Sequence, residues 1–180
     1  SLVDPYPLET AAKHLVDAGR LEEALPWFER AAAAGDTHAL RTGAEYLVDA
    51  GRLEEALPWF ERAADEGDTH ALSTAAKHLV DAGRLEKALP WFERAADEGD
   101  TGALSTAARH LVDAGRLEKA LPWFERAADE GDPMALIGAV DCLVRFGRRN
   151  DARQLERYGW EPERSIADPW TPPVPALSHP

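Results

Sequence analysis

The stretch "GRLEEALPWFERAADEGD", Gly51–Asp68, returns at Gly83–Asp100 and again at Gly115–Asp132 with one change, Glu55 becoming Lys87 and Lys119. A close relative occupies Gly19–Asp36, with Ala33 and Ala34 where Asp65 and Glu66 stand. The leading glycines are spaced by 32 residues, and Trp27, Trp59, Trp91 and Trp123 keep the same step. A fixed period of this size marks a solenoid, in which each repeat hides its apolar side only against its neighbours.

Working outward from Gly51, residues 36–67 form one repeat. Asp36 is suited to cap a helix N-terminus, its carboxylate accepting free backbone N–H groups. The pairs Asp4-Pro5 and Asp132-Pro133 support that register, because proline is favoured just after the cap. The first helix then carries Leu40, Ala44, Leu47 and Val48 at helical spacing, and Gly51 ends it as a left-handed C-terminal glycine. The second helix shows Leu53, Ala56, Leu57, Phe60, Ala63 and Ala64 on one face, and Gly67 closes it. Each repeat is therefore two antiparallel helices.

Pro58 interrupts the second helix and removes the hydrogen bond to the carbonyl of Glu54. It lies off the apolar stripe, so a modest bend that tunes curvature is expected there and at Pro26, Pro90 and Pro122. The tryptophans are expected to wedge between neighbouring helix pairs, the alternative being a sticky outer stripe. His14, His78 and His110 share one position with Tyr46. Equivalent residues of successive repeats are too far apart to share a zinc ion, so no metal site is expected.

This spacing resembles the tetratricopeptide repeat. Leu40, Gly43-Ala44 and Leu47 hold the positions of the family's first set, and Ala56-x₃-Phe60 the second. The same register fits Leu8, Ala24 and Phe28, then Leu72, Ala88 and Phe92, then Leu104, Ala120 and Phe124. The period is 32 rather than about 34 residues, and aspartate replaces the loop proline. "WFERAA" and the "EGDTHAL" linker look more like the related Sel-one-like repeat. The resemblance implies an all-α, right-handed solenoid with repeats at 4–35, 36–67, 68–99 and 100–131. A degenerate polar cap is expected over 132–158, and a Pro-rich tail over 159–180.

Comparison of the repeats shows a constant helix–helix core and a varying first helix. One set is Tyr6, His38, His70, Gly102 and Met134; the next is Glu9, Arg41, Ser73, Ser105 and Ile137; the third is Lys13, Glu45, Lys77, Arg109 and Asp141. Spacing by three and four puts each trio on one helix face. A row of Asp17, Asp49, Asp81 and Asp113 runs beside it. In the resembled family the first helices line the concave surface, which implies that this stripe is a binding groove. Ordinary solvated variation would leave the same pattern. A ladder of similar sites about 10 Å apart suits an extended peptide or another protein, and the aspartates favour a basic one.

The chain has 180 residues and a formal net charge of −13. That balance argues against a nucleic-acid surface and against an anionic membrane. No apolar run reaches membrane-span length, and no signal peptide opens the chain. The start at Ser1 reads as a piece cut from a longer protein. The single Cys142 allows no internal disulfide and fits the reducing cytoplasm. Arginine outnumbers lysine 16 to 4, which points to a GC-rich bacterial genome. No P-loop, zinc-protease, nucleophile-elbow or C-x-x-C motif is present, and carboxylates that recur in every repeat do not make a single catalytic constellation. The expectation is a non-enzymatic, cofactor-free scaffold, an adaptor or sensor module that binds protein or peptide. The alternative is a structural module that self-associates as its tail, residues 160–180 with Trp170 and the Pro-Pro-Val-Pro run, docks in its own or a neighbour's groove.

Overall fold

The computed structural model describes residues 6–160 and Ile166. Those residues are all-helical apart from one isolated bridge: α1 (Tyr6–Asp17), α2 (Leu21–Ala33), α3 (Ala39–Asp49), α4 (Leu53–Asp65), α5 (Ala71–Asp81), α6 (Leu85–Asp97), α7 (Ala103–Asp113), α8 (Leu117–Asp129), α9 (Ala135–Arg145) and α10 (Arg149–Tyr158). They follow one another as helix-turn-helix repeats of the α-solenoid class. The chain divides into two compact units, residues 1–103 and 104–180. The first holds α1–α6; the second starts in the first turn of α7. No helix among the described residues is long and apolar enough to cross a membrane.

The glycines end the helices as their positions predict. Gly51 has φ +76°, a backbone region that side chains with a Cβ resist. Its N–H donates to the carbonyl of Val48 at 2.8 Å, and that of Arg52 to the carbonyl of Leu47 at 2.8 Å. Together they satisfy two of the orphan carbonyls of α3 in a Schellman arrangement. Gly67 does the same for α4, and Asp68 then opens the next helix. Its Oδ1 accepts the N–H of His70 at 3.1 Å. The equivalent bonds are His38 to Asp36 at 3.0 Å, Gly102 to Asp100 at 3.1 Å and Met134 to Asp132 at 2.8 Å. The caps expected at these aspartates therefore form, with one tight turn before the regular helix begins at Ala39, Ala71, Ala103 and Ala135.

Pro26, Pro58, Pro90 and Pro122 all lie on exposed positions inside unbroken helices. On that side water replaces the lost backbone donor, which lowers the cost of an interior proline.

The core of the first unit is built of phenylalanines, leucines and small residues. Phe28 and Phe60 are fully buried. Tyr46 of α3 stacks on Phe28 of the preceding repeat, and His78 of α5 on Phe60, each with ring centroids 5.8 Å apart. The recurrent histidine position is thus an inter-repeat packing position, at least at His78. Trp27 packs against Leu8, Ala31 and Ala39, and Trp59 against the cluster of Ala12, Ala24 and Phe28. Both tryptophans bridge successive helix pairs, as the wedge expectation has it. Arg30 lies 4.7 Å from the Trp27 ring and Arg62 5.8 Å from Trp59, covering the wet sides of both indoles. Gly43 stands where other repeats carry Ala75 and Ala107, and a Cβ built on it would come within 2.9 Å of the Trp59 ring.

In the second unit Cys142 is buried, and burial pushes its thiol up to about 11. Thiolate is the reactive form, so a thiol reagent such as DTNB is expected to label Cys142 very slowly in the native chain and quickly in denaturant. Equal rates in the two conditions would show that the α9 core opens freely. Past α10, Trp160 pairs with Ile166 in one isolated antiparallel bridge. The tail docking segment at Trp170 and Pro172–Pro175 lies outside the described residues, as do Asp4 and Pro5.

Candidate functional site

The sequence places its varied residues on the first helices, and the structure sorts them into three kinds. The first kind ties repeats together. Asp68 has a fully inaccessible side chain. Its Oδ2 accepts the Nε–H of Arg41 at 2.7 Å and lies 3.1 Å from Nδ1 of His38, both from the preceding repeat. Burial alone would raise the Asp68 carboxyl, but the bonds from Arg41, His38 and the His70 amide outweigh it and hold the group below the usual carboxylate range. Arg41 also donates from Nη1 to Glu45 Oε1 at 3.1 Å. One repeat on, the buried Ser73 hydroxyl donates to Asp100 Oδ2. The buried Ser105 hydroxyl has no hydrogen-bond partner among the described residues. The linker aspartate therefore both caps its own helix and grips the helix before it. Sequence reading saw only the cap. The signal for the grip is the co-occurrence of a donor, Arg41 or Ser73, 27 residues before the aspartate.

The second kind is paired within its own helix or locally. Glu9 Oε1 lies 2.8 Å from Lys13 Nζ, and that bond holds the ammonium above the ordinary lysine range. Arg109, exposed in the second unit, donates from Nη2 to Thr106 Oγ1 at 3.2 Å. Tyr6 contributes backbone to α1, and its side chain lies outside the described residues.

The third kind is open. Asp17, Asp49 and Asp81 are the last residues of α1, α3 and α5. All three are exposed and make no ion pair or side-chain hydrogen bond among the described residues. His70 and Lys77 are exposed on the same unit, and neither side chain takes part in an ion pair among the described residues. In the second unit the equivalent Asp113 is different: its Oδ1 accepts Nη1 of Arg145 at 2.9 Å, although both side chains remain more than half exposed. Arg145 occupies the row's own position one repeat later. Among the described residues no three His, Cys, Asp or Glu side chains gather as a metal ion requires.

A second ladder runs across the starts of the second helices. Arg52 bonds Glu22 of the preceding repeat and its own Glu55, and Arg84 bonds Glu54. Arg148 reaches Glu118 at 2.9 Å. These exposed pairs fix register more than they stabilise, since each is worth under about 1 kcal/mol.

Three stretches, residues 10–71, 44–103 and 105–158, match the sequence model of the tetratricopeptide repeat, and between them they take in nearly all of the helical chain. The chain belongs to the tetratricopeptide repeat family. No curated protein is significantly similar to it in sequence. Among solved structures, a tetratricopeptide repeat protein from Parabacteroides merdae is 19% identical with a TM-score of 0.54, over 86% of this chain and 65% of that one. MamA, from residue 41 to its end, of Desulfovibrio magneticus RS-1 is 20% identical with a TM-score of 0.52, over 87% of this chain and 94% of that one. At such identities the likeness is one of fold. Tetratricopeptide repeats typically mediate protein–protein or peptide interaction.

Proposed function

We propose that the chain is a non-enzymatic scaffold, an adaptor or sensor module, that holds a basic protein segment along the first-helix face of residues 1–103. Asp17, Asp49 and Asp81 take the basic side chains. Glu9, Lys13, His38, Glu45, His70 and Lys77 border them, while Arg41 and Ser73 chiefly hold the repeats in register. In the second unit Arg109 and Asp113 occupy the same helix positions, with Ser105 buried beneath. The observation that carries the reading is the Asp113–Arg145 pair, in which a carboxylate of this row accepts a guanidinium presented from one repeat away. The three open aspartates offer the same acceptor, unpaired among the described residues. They also sit at helix C-termini, where a negative charge is unfavourable by about 0.3–1 kcal/mol and a bound cation would relieve it. The net charge of −13 steers a basic ligand toward the chain. A buried, protonated Cys142 fits the reducing cytoplasm read from the sequence.

Neighbouring first helices lie about 10 Å apart, the span of three residues of extended chain. A fluorescent peptide with arginine at every third residue is therefore expected to bind, and its glutamate counterpart not to. In anisotropy titrations the triple variant Asp17→Asn, Asp49→Asn, Asp81→Asn is expected to weaken binding about tenfold or more, and added salt to weaken the wild type. Equal affinity of variant and wild type would remove the reading.

A further inference from the structure

The last repeat keeps the first-helix pattern but has no described repeat after it. Leu8, Leu40, Leu72 and Leu104 are buried, Leu104 to 0% exposure, whereas Leu136 at the same position is 36% exposed. Beside it Ile137 is 59% and Val144 44% exposed. With Val140, Asp141 and Glu156 they line an open pocket of about 340 Å³ between α9 and α10. An apolar face of this kind, rimmed by charge, is an unused interface rather than ordinary surface.

The interior of the same chain shows what such a face receives. In the first unit two phenylalanines of second helices meet a ring from the following first helix, Phe28 meeting Tyr46 and Phe60 meeting His78. In α10 the phenylalanine position is Glu156. A first helix arriving there would bring its Tyr or His position against a carboxylate. The chain owns one first helix with no described repeat before it, α1. Its residue at the Tyr46 position is His14, which is exposed, and its residue at the Gly43 position is the small Ala11. An imidazole N–H donating to Glu156 replaces the ring stack of the interior. Pairing of two α9 faces would instead oppose Asp141 and Glu156 of both copies, in chains that each carry −13.

We propose that α9 and α10 of one copy receive α1 of a second copy, head to tail, with His14 of one against Glu156 of the other. The contact is heterologous, so copies add head to tail until a ring closes.

Sedimentation velocity of the full chain over a wide concentration range tests this. The expected result is a series of species beyond the monomer that grows with concentration. Glu156→Lys and His14→Glu are each expected to raise the dissociation constant about tenfold or more, because the first removes the acceptor of the imidazole N–H and the second opposes two carboxylates. The double variant is expected to recover most of the loss, since it sets a lysine against a glutamate at the contact. Both positions are exposed, and circular dichroism checks that the helices persist. Monomer at every concentration overturns the proposal. So does association that neither single variant weakens, or that the double variant does not restore. Association seen only after removal of residues 167–180 also overturns it for the full chain, by showing that the face is taken within each copy.

Discussion

Phe60→Ala is expected to lower stability by about 3–5 kcal/mol, the cost of emptying a fully buried aromatic site. Phe60 is wholly inaccessible, and its ring carries the His78 imidazole of the next repeat. The substitution therefore removes packing on both sides of a repeat boundary, and the stack itself adds about 0.5–1.5 kcal/mol beyond area. Urea denaturation followed by ellipticity measures it as a drop in midpoint. An unchanged midpoint would mean that the boundary between the second and third repeats closes over the hole. Leu57→Ala, at a half-buried position of the same helix, supplies the smaller comparison.

Asp68→Ala is expected to cost about 2–4 kcal/mol, combining a lost helix cap with a stranded, partly buried Arg41 guanidinium. Asp132→Ala offers the control. It removes the cap on Met134, but the Ser105 hydroxyl before it has no partner to lose. Its cost is expected near 1 kcal/mol, that of the cap alone. Acid separates the two terms further. The Asp68 carboxyl sits below its ordinary value in the folded chain, so the folded state binds that proton less readily than the unfolded one. Its contribution is complete above the unfolded carboxyl value, about pH 4, and disappears as pH falls through the lower folded value. The stability gap between wild type and Asp68→Ala should therefore narrow below pH 4. A gap that stays constant there would mean that Arg41 and His38 do not depend on the carboxylate charge.

The period made most of the fold readable. Gly51, Phe60 and Asp68 recur because each satisfies a local demand: a left-handed backbone, a filled core, a capped helix end. Demands of that kind leave a trace at every repeat. What crosses a repeat boundary leaves none in the period alone. Arg41 and Ser73 vary, and variation on a first helix looks like a binding face until their donors are seen on Asp68 and Asp100. The period shows His78 only as a histidine recurring at the Tyr46 position, and the structure adds that its ring stacks on Phe60. Leu136 repeats the core leucine letter for letter, yet it is exposed because burial belongs to the neighbour and not to the residue. Asp17, Asp49 and Asp81 were legible as a row, whereas the Arg145 that shows what such a carboxylate accepts was not, since it replaces the pattern rather than continuing it.

The linker aspartates Asp68 and Asp100, each shared between the helix it opens and the helix behind it, make these two junctions of the first unit alike in kind. A stretch of 32 residues can be copied or dropped in frame without inventing a new joint, provided that the cut respects the donor and its acceptor together. Length in such a chain can therefore change by whole repeats while the joints stay the same.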